Sequence, residues 1–256
     1  MHEESPELII VELNMSGHSK WATIKRQKGV ADAKRGQLFT KLAGTIAIAV
    51  KQGGSADPGA NPSLRLAIDK AKASNMPKDS IDRAILRGTG GGGASNLEEA
   101  VYEGFGPSGT AFIVEAVTDN KQRTVSELKN VFEKSGGSLG SQGSVAYQFE
   151  KKGEIVGKIE NKTSEDLLDL ALEIGAEDVD REDGLVYFYT EPTGLMQIKR
   201  LLEDKGMVIE EAQIIYKPKN LISDALSQSK VEDLIQKLED LDDVQKVYTN
   251  FDFSLN

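Results

Sequence analysis

The sequence predicts an α+β chain of three domains: a helical N-terminal domain, then two α/β domains of the ferredoxin-like kind, the last inserted into the second. Three observations predict it. Apolar residues recur at helical spacing as far as Arg87 and alternate after Leu97. Residues 154–216 run in the order βαββαβ, the split arrangement of ferredoxin-like folds. The tail carries one helix and one strand that cannot bury their faces alone, while the strands and helix of 97–140 lack partners. The expected units are an extension over 1–14, a basic helical domain over 15–94, a discontinuous domain made of 95–144 plus 222–256, and an inserted domain over 145–221.

In chain order, residues 1–14 are acidic where a secretory leader needs bases, and the apolar run Leu8–Val11 is too short to span a membrane. Ala31–Lys51 carries Leu38, Leu42, Ile46 and Val50 at steps of four, and Gly53-Gly54 stops the helix. Asn61-Pro62 starts another through Leu64, Ala67, Ile68 and Ala71, and a short one covers Pro77–Arg87. Few of these residues are large, so the helical core is expected to be small and marginal.

The run Gly88–Gly93 matches three spaced glycines of a dinucleotide loop, but it follows a helix and lacks the Lys-Ser/Thr pair of a phosphate loop. It reads as a hinge. Two strands follow around Gly106-Pro-Ser-Gly109, and Asp119-Asn120 caps a helix that ends at Gly136. Ser138–Ser144 reads as a loop and Val145–Phe149 as a strand. The βαββαβ unit is Glu154–Ile159, Ser164–Ile174, Glu177–Arg181, Leu185–Thr190, Thr193–Lys205 and Met207–Tyr216. A helix through Val231, Leu234, Ile235 and Leu238 and a strand Val244–Phe251 complete the chain.

The formal charge of −10 hides a split. Residues 15–90 hold 14 Lys/Arg against 5 Asp/Glu, whereas 91–256 hold 17 against 32. A local field reaches only about a Debye length, roughly 8–10 Å, so the two parts act as separate surfaces. The basic part fits a polyanion, and the acidic part fits basic protein surfaces. Cysteine is absent and the only histidines are His2 and His18, which removes disulfides, thiolate metal sites and a histidine-centred triad. No carboxylate spacing suggests paired acid–base work. The expectation is a cytoplasmic, non-enzymatic protein without cofactor, metal or membrane contact.

The candidate nucleic-acid contacts are Lys20, Lys25, Arg26, Lys28, Lys34, Arg35 and Lys41, because clustered cations bind phosphates by releasing counterions. Lys34 and Lys41 are seven apart and share a helix face. Trp21 fits two roles equally, a ring stacked on an unpaired base or the aromatic of a small core. His18 fits a cap of the first helix or a phosphate contact, of which the cap is the blander role. Lys121 and Arg123, beside the Asp119-Asn120 cap, form a secondary anion contact whose blander reading is the cap itself. No zinc finger, RRM aromatic pair or KH loop is present, and no helix gathers Arg, Asn and Gln to read base edges. That favours structured RNA over a defined DNA operator.

The stretches Ser16-Gly-His-Ser-Lys-Trp21, Arg26-Gln-Lys28, Asp32-Ala-Lys-Arg-Gly36 and Phe39-Thr-Lys41 resemble the YebC/PmpR family. So do Asn61-Pro62, Asn75-Met-Pro77, Gly104-Phe-Gly-Pro107 and Thr118-Asp-Asn120. The resemblance runs from Met15 to the C-terminus and leaves residues 1–14 outside. It implies three domains with the last inserted into the second. The family is labelled as probable transcriptional regulators that bind DNA, and it includes a mitochondrial translational activator of cytochrome oxidase and bacterial members tied to translating ribosomes. Its implied partners are therefore DNA, or rRNA and tRNA in the ribosome, with protein partners on the acidic domains.

Overall fold

The computed structural model describes residues 33–91, 97–182 and 184–253, with side chains from residue 35 onward. Helix α1 (Ala33–Gly53) buries Leu42, Ile46, Ala49 and Val50 along one face. Gly54, at φ 65°, ends it by donating its N–H to Val50 O at 3.1 Å. Asn61 caps α2 (Pro62–Ala73) as its sequence position predicts. Its Oδ1 accepts from Leu64 N–H at 3.1 Å, and its Nδ2 donates to the carbonyls of Ala49 and Ser55 at 2.8 and 2.9 Å. A Cβ on Gly53 would lie 2.2 Å from that amide, so the residue that ends α1 also leaves room for the cap of α2.

Helix α2 ends in a Schellman turn. Met76 N–H bonds to Ala71 O and Asn75 N–H to Lys72 O, both at 2.9 Å, with Asn75 at φ 58°. Helix α3 (Lys78–Gly88) then crosses α1 closely enough that a Cβ on Gly88 would meet Ala47 O at 2.6 Å. The three helices enclose Leu42, Ile46, Leu64, Ile68, Met76 and Ile81 with several alanines, and Phe39 sits at the rim.

The remaining elements build two sheets. The first takes β1 (Glu98–Phe105), β2 (Ala111–Thr118), β3 (Ser138–Leu139) and β8 (Val244–Thr249) in the order β3-β1-β2-β8. Helices α4 (Lys121–Lys134) and α7 (Gln228–Glu239) cover its outer face, where Phe112, Leu128, Phe132, Leu234 and Phe251 form one cluster. The tail thus folds back onto the earlier strands, as its unpaired faces require. The second sheet takes β4 (Phe149–Lys158), β5 (Asp178–Glu182), β6 (Leu185–Thr190) and β7 (Val208–Pro218) in the order β5-β6-β4-β7, all antiparallel. Helices α5 (Ser164–Ile174) and α6 (Leu195–Asp204) pack on its outer face. This is the ferredoxin-like unit, inserted between β3 and α7. The inner faces of the sheets meet through Ile113 and Tyr248 on one side and Val156, Tyr187, Tyr189 and Ile215 on the other. Four layers result, helices outside and sheets within.

Two sequence expectations need correction. Val145–Phe149 is not a strand: Ala146–Gln148 makes a 3-10 turn, and β4 starts at Phe149 and continues unbroken through Gly153 to Lys158. Glu103 on β1 causes the turn. Its carboxylate is 5% exposed and accepts the N–H groups of Gly143, Val145 and Ala146 at 2.6, 2.7 and 2.8 Å, which draws the loop inward. Burial alone would raise the pKa of Glu103, but the three donors hold it below the ordinary value. Gly153 does not break the strand. It leaves space for α6, since a Cβ there would stand 3.2 Å from Leu195 Cβ. The stretch Ser138–Ser144 is also not wholly loop, because Ser138 and Leu139 pair with Phe105 and Gly104.

Strand β5 lies at the edge of its sheet. Asp180 points from it toward the inter-sheet side, opposite Tyr187, and is 2% exposed with Oδ2 lacking a hydrogen-bond partner. Burial pushes its pKa up to about 6. An inward-facing carboxylate on an edge strand discourages pairing with another chain's edge.

Candidate nucleic-acid interface

Helix α1 has two working faces. One carries the apolar stripe of the helical core. The other, formed by Gln37, Lys41, Thr45, Ile48 and Gln52 at steps of three and four, docks on the first sheet and on α7. Lys41 Nζ donates to Glu239 O and Gln37 Nε2 to Asp240 O, each at 2.5 Å, so both satisfy carbonyls left open at the C-terminal end of α7. Thr45 Oγ1 donates to Gln245 Oε1 at 3.0 Å, and Gln52 reaches Glu99 at 2.8 Å. Ile48 and Ala47 pack with Leu97 and Val117 beneath them.

This geometry fixes what several cations do. Lys41, expected beside Lys34 on a polyanion face, is half-buried with its ammonium on the end of α7. Lys51 caps Leu97 O at 2.9 Å. Arg65 closes the loop before its own helix by donating to Pro58 O and Gly59 O at 3.0 and 3.1 Å. Lys70 pairs with Glu211 on β7 at 2.7 Å, which joins the helical domain to the inserted one. Arg35 is exposed on the first turn of α1. Lys72 and Lys78 are exposed, and their ammonium groups make no hydrogen bond or ion pair among the described residues. Lys20, Trp21, Lys25, Arg26, Lys28, His18 and the side chain of Lys34 lie outside the described residues, as does part of the glycine run.

The secondary anion contact sits at the start of α4. Asn120 caps this helix by accepting from Arg123 N–H at 3.1 Å. Lys121 pairs with Glu98 at 2.6 Å, and that ammonium lowers the pKa of Glu98. Arg123 reaches Asp243 at 2.9 Å and Asp119 at 3.1 Å. Asp243 also accepts from the hydroxyls of Thr118 and Thr124 at 3.1 and 2.8 Å, which ties β2, α4 and the approach to β8 together. Glu98, Thr118, Asp119, Asn120, Lys121 and Gln122 line a hollow of about 310 Å³ beside it. Both cations therefore already face carboxylates, and an incoming anion would have to displace them. Among the described residues, no His/Cys/Asp/Glu group could hold a metal ion, and no helix is long and apolar enough to cross a membrane.

Sequence reasoning found the cationic residue types but could not separate engaged from unengaged ones. The acceptors for Lys41 and Lys51 are backbone carbonyls, 198 and 46 residues away, and no side-chain pattern marks them. Lys72 and Lys78 escaped notice because neither belongs to a dense cationic run.

Comparison with known proteins extends these observations. A family model described as the TACO1/YebC protein N-terminal domain matches residues 19–91, and one described as the TACO1/YebC second and third domain matches 97–251. A relative from Trichlorobacter lovleyi is 49% identical over 243 residues, covering 94% of this chain and 97% of its own. Another from Treponema denticola is 51% identical over 239 residues, covering 93% and 96%. Both are named probable transcriptional regulatory protein. The crystal structure of a conserved hypothetical protein from Aquifex aeolicus matches with a TM-score of 0.79 at 45% identity, covering 86% of this chain and 91% of that one.

Proposed function

The chain belongs to the TACO1/YebC family, and on that premise we propose that it is a non-enzymatic, cytoplasmic, nucleic-acid-binding regulator of gene expression. Its basic N-terminal part holds structured RNA, such as rRNA or tRNA in a ribosome. The observation that carries this reading is the charge split, 14 Lys/Arg against 5 Asp/Glu in residues 15–90 and the reverse excess beyond. Lys20, Lys25, Arg26, Lys28, Lys34 and Arg35 are the assigned phosphate contacts, and Trp21 is the candidate stacking ring. Lys41 serves the interface indirectly, by fixing α1 on α7. Lys121 and Arg123 stand second, behind their carboxylate partners.

A second reading, a DNA-binding transcriptional regulator, is favoured by the relatives' names. Phosphate contacts position a protein without reading sequence, and α3 alternates Asp79 and Asp82 with its cations where a reader helix needs donors. That chemistry supports putting RNA first. Co-sedimentation with ribosomes at modest salt tests the choice. Binding to ribosomes that is lost in K25E/R26E/K28E supports the RNA reading. Retention of an operator against competitor DNA, with no ribosome association, replaces it with the second reading.

A further inference from the structure

Lys72 and Lys78 flank the Schellman turn that joins α2 to α3. The other described cations of the helical domain whose contacts are given above are spent on acceptors within the protein. Lys70 reaches Glu211, Lys51 and Lys41 cap backbone carbonyls, and Arg65 holds its own loop. Arg83 donates to Asp79 O and Ser80 Oγ on its own helix. Lys72 and Lys78 have no such acceptor, and both are exposed.

Their placement is fixed by the fold. Lys70 anchors α2 to β7 of the acidic inserted domain. Two residues further along a helix lies about 200° around its axis, so Lys72 faces away from that domain. Lys78 opens α3 immediately after the corner, and the corner is held rigid by buried Met76 and by Asn75 in the left-handed region. Two unspent ammonium groups on one corner, that of Lys72 turned from the acidic inserted domain and that of Lys78 exposed, suit a polyanion that the body itself repels.

We propose that the α2–α3 corner, through Lys72 and Lys78, is an additional phosphate-contacting surface that extends the basic segment's hold on RNA. This rests on the nucleic-acid reading above. It adds contacts at the α2–α3 corner, remote in sequence from the Lys20–Lys28 run.

The test uses the full chain and a fluorescein-labelled RNA hairpin, with a DNA duplex of random sequence as a second probe. Anisotropy is followed across salt from about 50 to about 200 mM, a range over which phosphate contacts are read as a slope. Three proteins are compared: wild type, K72E/K78E, and K129E/K134E, which makes the same change in net charge on α4. The slope of log affinity against log salt should fall by about 1.4–1.8 in K72E/K78E, the release expected from two phosphate contacts, and should hold in K129E/K134E. Thermal melting of K72E/K78E should match wild type, since neither lysine has a partner to lose. Wild-type binding with the slope unchanged in K72E/K78E, or lowered equally in both variants, overturns the corner contact and leaves the nucleic-acid reading intact. A wild type that binds neither probe overturns that reading and the corner contact with it. Binding to the duplex alone, with the slope loss present there, overturns the RNA assignment of the corner.

Discussion

The helical domain and the double sheet bury their chains in different ways. The helical core is aliphatic and alanine-rich, with close approaches such as Gly88 on Ala47 replacing bulk. The double sheet fills its layers with rings: Phe112 meets Phe132 edge-on at 5.8 Å, Phe251 meets Phe253 at 4.9 Å, and Tyr216 meets Tyr248 at 5.3 Å. Small side chains give little burial per residue, so the helical domain draws on its polar seam to α7 and β8 to hold its place. Among the described residues, the domain with the excess of positive charge is thus the one with the least aromatic core.

That contrast can be broken at its strongest point. Phe132 is fully buried, and its ring fills the space beside Gly104. Phe132→Ala should cost about 3–5 kcal/mol by denaturant titration, more than any single aliphatic truncation in the helical core. An equal or larger loss from Ile81→Ala would erase the distinction.

The electrostatics of the second sheet offer the next test. The folded chain holds the proton of Asp180 up to about pH 6, whereas an ordinary aspartate releases it near 3.8. Between those values the folded state binds more protons than the unfolded one, so stability declines as pH rises through that window and stays reduced above it. Each pKa unit corresponds to about 1.4 kcal/mol, so the loss reaches at most about 3 kcal/mol. Asp180→Asn should flatten that slope and raise the melting temperature at pH 8. An unchanged pH profile would show that Asp180 is not the source.

The smallest of the three effects sharpens the helical side. Asn61→Ala removes a cap and two hydrogen bonds, one to the buried Ala49 carbonyl and one to the half-buried Ser55 carbonyl, for about 2 kcal/mol. Hydrogen exchange should accelerate first at the amides of α2 and the end of α1, with the double sheet still protected. Uniform acceleration across the chain would mean that the two regions open as one.

Most of the architecture was legible because its signals are local. Asn61-Pro62 and Asn120 cap the helices their types predict, and alternation located seven of the eight described strands. The failures share one physical cause, a residue whose role depends on distant backbone. Glu103 bends a loop 40 residues away, and Val145–Phe149 reads as a strand because that carboxylate cannot be seen from its neighbours. The candidate site was legible in composition and illegible in engagement. A lysine bonded to a carbonyl and a lysine open to solvent are the same letter, and only the docking of α1 on α7 separates Lys41 from Lys72.

The interruption of the first sheet between β3 and α7 bears on how the chain is made. During synthesis the helices and then the inserted ferredoxin-like unit have all of their own strands before the sheet around them does. The aromatic cluster over β2 must wait for α7 and β8, which follow the inserted unit in the chain. Gln37 and Lys41, among the first residues of α1 to appear, find their acceptors only then. A truncated product therefore keeps α1 but lacks the platform on which α1 docks.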